Sequence, residues 1–236
     1  MWIVGEIKLQ GNAPAAVRVS WGGVFDHRRT SGDTMRLHDD PCSGNGYKVR
    51  LILAHLGQSF DYVRLDIDRA ETRTPEFLAK NPNGRIPLLE LDDGRLLPES
   101  NAILHYLAEG SRFLPVDRFA HAQVLQWMFF EQYSHEPNIA TVRFWLTHGV
   151  DMTPWREEAV VQKRVGGYAA LDVMEGHLSL NRYFVGDAMT IADIALYAYT
   201  HVAHEGGFDL CGYPSIMAWV NRVAAEPGHV LITDVP

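Results

Sequence analysis

After Met35 the chain changes its pattern once, across residues 111–117, and that change limits the folds open to it. From Met35 onward, short apolar runs of strand character alternate with runs of helical spacing. Met35–His38 is a strand candidate, followed by a polar turn, Asp39–Gly46. Val49, Leu51, Ile52, Leu53 and Leu56 then recur at helical spacing and stop at Gly57. Phe60–Asp66 reads as a second strand, and Thr74-Pro75 opens a short helix as N-cap and first residue. Ile86–Leu91 and Leu96-Leu97, joined through Asp92-Asp93-Gly94-Arg95, predict a β-hairpin, and Ser100 is expected to cap a helix reaching Leu107. The order β-α-β-α-β-β-α predicts a small α/β unit whose last two strands are antiparallel.

Beyond Asp117, strand signals almost vanish. Helical spacing covers Arg118–His148, with Pro137 a kink or break, then Trp155–Leu178, Thr190–His204 and Tyr213–Ala225. The expected organisation is an α/β domain over 35–112, an all-helical domain over 118–228 and a tail over 229–236. Residues 1–34 carry turn signals without a sustained period and are expected to form a loosely attached extension. Within it, Val17–Trp21 has strand character but no evident partner.

Composition narrows the function. Apolar residues make up 47%, too many for a disordered chain. Lys and Arg number 21 against 29 Asp and Glu, a formal charge of −8, so the basic footprint of a nucleic-acid binder is missing. No apolar run approaches the roughly 20 residues that cross a bilayer. Two cysteines, Cys42 and Cys211, form neither a disulfide framework nor a four-ligand zinc site, and the cytoplasm is the expected compartment. His201 and His204 share a helix but lack a third ligand, so no metal is expected.

Three motifs stand out, two of them carrying chemistry. The first is Ser43-Gly44-Asn45-Gly46-Tyr47-Lys48-Val49, where a hydroxyl and an amide meet a helix start whose N–H groups attract an anion. A thiol beside such donors ionises more readily than its free value of about 8.5 allows. The plainer reading is that Ser43 and Asn45 shape the turn and cap the helix.

The second is Asn81-Pro82-Asn83-Gly84-Arg85-Ile86-Pro87 followed by Leu97-Pro98-Glu99-Ser100. Entry to a strand through Ile86-Pro87 suggests a cis peptide, leaving the Ile86 backbone as an edge for an extended peptide. Ser100 at a helix start suits a carboxylate, and Glu99 suits an amino group. A capped helix and a hairpin explain the same residues without a ligand. The third motif, Met189-Thr190-Ile191-Ala192-Asp193-Ile194, reads as a capping box with a hydrophobic staple, a structural element only.

In this order the motifs resemble the cytosolic glutathione transferase family, and the resemblance covers residues 35 to about 228. It implies a thioredoxin-like domain followed by a helical bundle. It also implies an enzyme, a glutathione S-transferase that turns the glutathione thiol into a thiolate for attack on a hydrophobic electrophile. On this resemblance Ser43 faces the glutathione sulfur with Asn45 as its helper. Ile86 holds the tripeptide by its backbone, while Glu99 and Ser100 hold the γ-glutamyl end. The family's usual histidine for the glycine carboxylate aligns with Thr72, which leaves Arg73 and Arg85 as candidates. A second-substrate pocket is expected at Tyr133, Phe144 and Trp145, although an aromatic stripe of helical spacing is more often core.

The resemblance further implies a homodimer, no nucleic acid and no membrane. Two alternatives stand beside it: a glutathione-dependent isomerase or thiol reductase, and a non-catalytic binding or assembly module. Cys42, one residue before the serine position, is expected to be inert or secondary. Among the polar residues near the aromatic stripe, Glu131–His135 and Glu136–Arg143 are expected to partner each other if buried.

Overall fold

A computed structural model describes residues 16–20 and 34–235. Its α/β half is a five-stranded sheet in the order β1-β3-β2-β4-β5. The strands are β1 (Val17–Val19), β2 (Arg36–Asp39), β3 (Phe60–Arg64), β4 (Leu88–Glu90) and β5 (Leu96–Pro98). Only β2 and β3 run parallel, joined over helix α1 (Gly44–His55); β2–β4 and β4–β5 are antiparallel. The last two strands are antiparallel as the element order predicted, and the whole is the thioredoxin-like arrangement that the resemblance implied. Two further helices, α2 (Pro75–Lys80) and α3 (Ser100–Ala108), complete the domain.

Capping explains where these helices start. Ser43 accepts the Gly46 N–H at 3.0 Å, and Thr74 accepts the Phe77 N–H at 3.3 Å with Pro75 in the first turn. Helix α3 differs from expectation. Ser100 is its first helical residue, and the cap position falls to Glu99, whose φ of 73° lies in the left-handed region. The Ile86-Pro87 peptide is cis, as the motif suggested.

One part of the expected extension needs correction. Val17–Val19 pairs antiparallel with Phe60–Tyr62 and becomes the edge strand β1, with Val19 buried in the core. A local reading could not find this partner, because it lies some forty residues along the chain. The rest of that extension, including Trp21, lies outside the described residues.

The second half contains helices α4 (Arg118–Phe130), α5 (Glu136–Thr147), α6 (Pro154–Leu178), α7 (Ile191–Thr200) and α8 (Pro214–Ala224). The single helical run predicted over Arg118–His148 is divided by a π-helical turn at Glu131–His135, just before Pro137 in the first turn of α5. Helix α7 is buried along its whole length and packs against α1, α3 and α4. One continuous apolar core therefore runs from Leu37 and Leu51 through Ile103 to Ile194 and Trp219.

The tail is also part of this packing. The fully buried Arg50 of α1 donates to the Ile232 and Asp234 carbonyls, and the Tyr47 hydroxyl donates to the Val230 carbonyl at 2.7 Å. A residue expected at a chain end is thus held across the first domain by hydrogen bonds from its core helix.

Candidate functional site

A cleft of about 510 Å³ opens between the two halves of the molecule. Its lining includes Ser43, Gly44 and Cys42 from the start of α1, Arg73, Arg85 and Ile86 from the loops before β4, and Glu136, Arg143 and Phe144 from α5. Tyr199 of α7 closes its floor.

Glycine permits the approach of the two halves. A Cβ added to Gly44 would stand 2.5 Å from the Tyr199 ring, so only glycine lets α1 begin against α7. Tyr199 in turn accepts the Asn45 backbone N–H at 3.2 Å. Burial raises its phenol pKa, so Tyr199 stays neutral in this position.

Ser43 sits at the mouth of α1 on the cleft side. Its oxygen accepts from Gly46, which leaves its own O–H free to donate. Asn45 does not touch Ser43. Its amide instead donates to Glu136 at 3.0 Å, and its carbonyl oxygen accepts from the Ser100 hydroxyl at 3.1 Å. The starts of α1 and α3 are therefore joined by the Asn45–Ser100 hydrogen bond.

The two arginines expected to face a carboxylate both reach the cleft. Arg73 also donates to the Asn83 carbonyl at 3.1 Å, which folds the Asn81–Gly84 turn against it. Ile86 lines the cleft, whereas Asn45, Glu99 and Ser100 lie beyond its lining. Of the three aromatics expected around a second substrate, only Phe144 lines the wall, stacked on His148 with ring centroids 4.5 Å apart. Tyr133 points away and is 88% exposed. Trp145, one residue further round α5, packs toward Trp155 of α6. Helical rotation of about 100° per residue separates these neighbours.

The polar partners expected within the aromatic segment are also corrected. Glu131 does not pair with His135, nor Glu136 with Arg143. Glu131 accepts from Lys48 at 2.8 Å, and both side chains are completely buried. His135 bonds Thr200 at 2.9 Å, and Arg143 pairs with Glu205 at 2.6 Å while donating to the Cys42 carbonyl at 2.9 Å. Spacing along one helix could suggest only neighbours on that helix. The real partners come from α1, α7 and the segment that follows α7. Lys48 and Arg50 were visible as charges inside the apolar run of α1, a sequence signal that buried partners were required.

Behind the Ser43 loop lies a second buried pair. Arg50 donates to Asp39 at 3.1 Å and to the Pro41 carbonyl at 3.0 Å, fixing the backbone just before Cys42. Burial pushes Asp39 up to about 7, opposed by the Arg50 charge. Cys42 is exposed at the cleft, yet partial burial and the Asp40 carboxylate raise its thiol pKa. No cluster of three or more metal-ligating side chains occurs among the described residues, and none of the described helices is long and apolar enough to cross a membrane.

Comparison with known proteins agrees with this architecture. The glutathione S-transferase N-terminal domain family matches residues 34–109, and the glutathione S-transferase C-terminal domain family matches residues 120–227. Glutathione S-transferase 3 of Zea mays is 33% identical over 202 residues, 82% of this chain and 90% of its own length. The crystal structure of a glutathione S-transferase from Pseudomonas fluorescens Pf-5 is 54% identical, with a TM-score of 0.81 over 85% of this chain and 99% of its own. The glutathione transferase URE2P6 of Phanerochaete chrysosporium, solved with oxidised glutathione, is 25% identical, with a TM-score of 0.75 over 84% of this chain and 93% of its own. The chain described here belongs to the glutathione S-transferase family.

Proposed function

We propose that the protein is a glutathione transferase that binds the tripeptide along its α/β domain and ionises the sulfur beside Ser43. The observation that carries this reading is that the start of α1, with Ser43 on the cleft wall, is tied to the start of α3 behind it by the Asn45–Ser100 hydrogen bond. An extended tripeptide reaches about 10 Å, enough to run from a thiolate site at Ser43 past Ile86 toward Glu99 and Ser100. Arg73 and Arg85 then supply positive charge for the glycine carboxylate. The relative solved with oxidised glutathione supports the same ligand chemistry.

The Ser43 hydroxyl donates to the sulfur and stabilises its charged form, which lowers the thiol pKa. The dipole of α1 acts in the same direction. The electrophile lies over Phe144, Ala140 and Ile67, the apolar side of the cleft. A pH titration of the ultraviolet absorbance of bound thiolate tests the role of Ser43. In Ser43→Ala the midpoint moves up toward the free value of about 8.5. An unchanged midpoint rules that role out.

Thiol reduction through Cys42 is the second reading, favoured by the exposure of Cys42 in the cleft. Its raised thiol pKa works against it, because the thiolate is the nucleophile. Loss of disulfide reduction on Cys42 alkylation, with conjugation intact, separates the two.

The protein acts as a homodimer in this reading. Helix α4 and the π-helical turn present Phe119, Phe129 and Tyr133 on one stripe, 72%, 70% and 88% exposed. Phe129→Asp is expected to halve the mass measured by light scattering after size exclusion. A dimer that persists in this variant places the interface elsewhere.

A further inference from the structure

Polar side chains beside the cleft, from the fully buried Lys48 and Glu131 to the exposed Gln132, form a closed ring. Asn45 donates to Glu136 at 3.0 Å, and Gln132 donates to both Glu136 and Glu131. Glu131 accepts from Lys48 at 2.8 Å, Lys48 reaches the Ser100 hydroxyl at 3.4 Å, and Ser100 returns to Asn45 at 3.1 Å. Six side chains from α1, α3, the π-helical turn and α5 thus close on themselves across the boundary between the two halves. Asn101 adds a further bond to Glu131 at 3.0 Å.

A buried ion pair is a poor source of stability, because removing two charges from water offsets most of their attraction. Lys48 and Glu131 are both completely buried. Their value lies in geometry. An ammonium with three donors, held by a carboxylate that accepts from three side chains, has few alternative arrangements. The π-helical turn places Glu131, Gln132 and Glu136 toward the ring, which a regular α-helix would distribute differently. The ring therefore fixes α1 against α3 and sets the separation of Asn45 from Ser100.

We infer that Glu131 and Gln132 of the helical domain, acting with Lys48 of α1, are positioning residues that hold the starts of α1 and α3 in register, so that the second domain sets glutathione affinity without touching glutathione. This rests on the reading of the cleft as a glutathione site. It makes the two halves one binding unit: a shift in the π-helical turn is transmitted to Ser100 through Lys48 and to Asn45 through Glu136.

The test uses the full chain and four proteins: wild type, Gln132→Met, Lys48→Arg and the double variant Lys48→Met/Glu131→Leu. The double variant removes both charges together and so avoids leaving one buried alone. Its Kd for glutathione by calorimetry is expected to rise about tenfold, and that of Gln132→Met about threefold, with Lys48→Arg restoring most of the affinity. In turnover with a model electrophile, KM for glutathione rises more than kcat falls, a split that general loss of stability does not produce. Amide hydrogen exchange in the ligand-free proteins gives an independent reading: exchange at the first turns of α1 and α3 quickens when the ring is broken.

Wild-type affinity and wild-type exchange in the folded double variant overturn the inference. Should that variant not fold, the same pair of results in Gln132→Met overturns it, since Gln132 is exposed and its loss leaves the core intact. Failure of the wild type to bind glutathione overturns the reading of the cleft instead, while the exchange rates still decide the ring.

Discussion

Asp193→Ala is expected to lower the thermal midpoint by about 10 °C, following a loss of about 4 kcal/mol. The carboxylate is completely buried and accepts four hydrogen bonds. They come from the Thr190 N–H at 2.8 Å, the Thr190 hydroxyl at 3.1 Å, the Phe184 N–H at 3.1 Å and the Trp219 indole at 2.9 Å. Burial pushes its pKa to about 6, with the donors opposing that rise. Truncation leaves buried donors on three residues unmet, each costing about 1–3 kcal/mol, and opens a hole beneath Trp219.

Thr190→Ala, which removes the helix cap and one of the four bonds to Asp193 but leaves the Phe184 and Trp219 anchors, costs about 1 kcal/mol for the cap. The two variants therefore separate local capping from tertiary anchoring. Thermal melts followed by circular dichroism decide between them: a loss for Asp193→Ala no larger than that for Thr190→Ala would mean the anchoring bonds contribute nothing.

The second large effect is a pH dependence carried by His135. Thr200 donates its hydroxyl hydrogen to the Leu196 carbonyl at 2.7 Å, so toward His135 it can only accept. The imidazole therefore carries its proton on Nε2, and Nδ1 is buried without a partner. Protonating Nδ1 would bury a charge, with the Lys48 ammonium nearby, and the pKa falls to about 3 for both reasons. The same residue titrates at about 6.5 in the unfolded chain. Between pH 6.5 and 3 the unfolded chain takes up a proton that the folded one refuses, so stability falls as the pH falls.

His135→Gln removes this contribution, which reaches on the order of 4 kcal/mol at the acid end of the window. At pH 7 the variant is the less stable protein, because it disturbs a packed site. By pH 4 its deficit is expected to vanish or reverse. Urea unfolding of both proteins at pH 7, 5.5 and 4 checks this, since the other titrating groups cancel in the difference. A constant difference across the three pH values would refute it.

The division into an α/β half and a helical half was legible from local signals alone, as were most helix starts and the β4–β5 hairpin. Thr74-Pro75 and the Thr190–Asp193 box act within one or two helical turns, so nearby residues are enough to read them. Ser100 shows the limit of that reading: its residue type suits a cap, but the backbone turned one residue earlier, at Glu99. Val17–Val19 could not be placed, because an edge strand is defined by its partner and that partner lay beyond any local window.

Residue order alone determined the elements, the family and the identity of Ser43, Ile86 and Ser100 as site candidates. The elements follow from backbone preference and short-range periodicity, which depend on neighbours a few positions apart, whereas the family and the site candidates follow from the resemblance that the motifs carry. Tertiary structure decided the partners in the buried ion pairs: Lys48 with Glu131, Arg50 with Asp39, Arg143 with Glu205. A charge enclosed in a medium of low dielectric must take whichever counter-charge the packing brings within reach, and packing is a property of the whole chain. The exclusion of Tyr133 and Trp145 from the cleft has the same origin, because the rotation of the π-helical turn and of α5 against their neighbours, not their aromatic content, selects which ring faces inward.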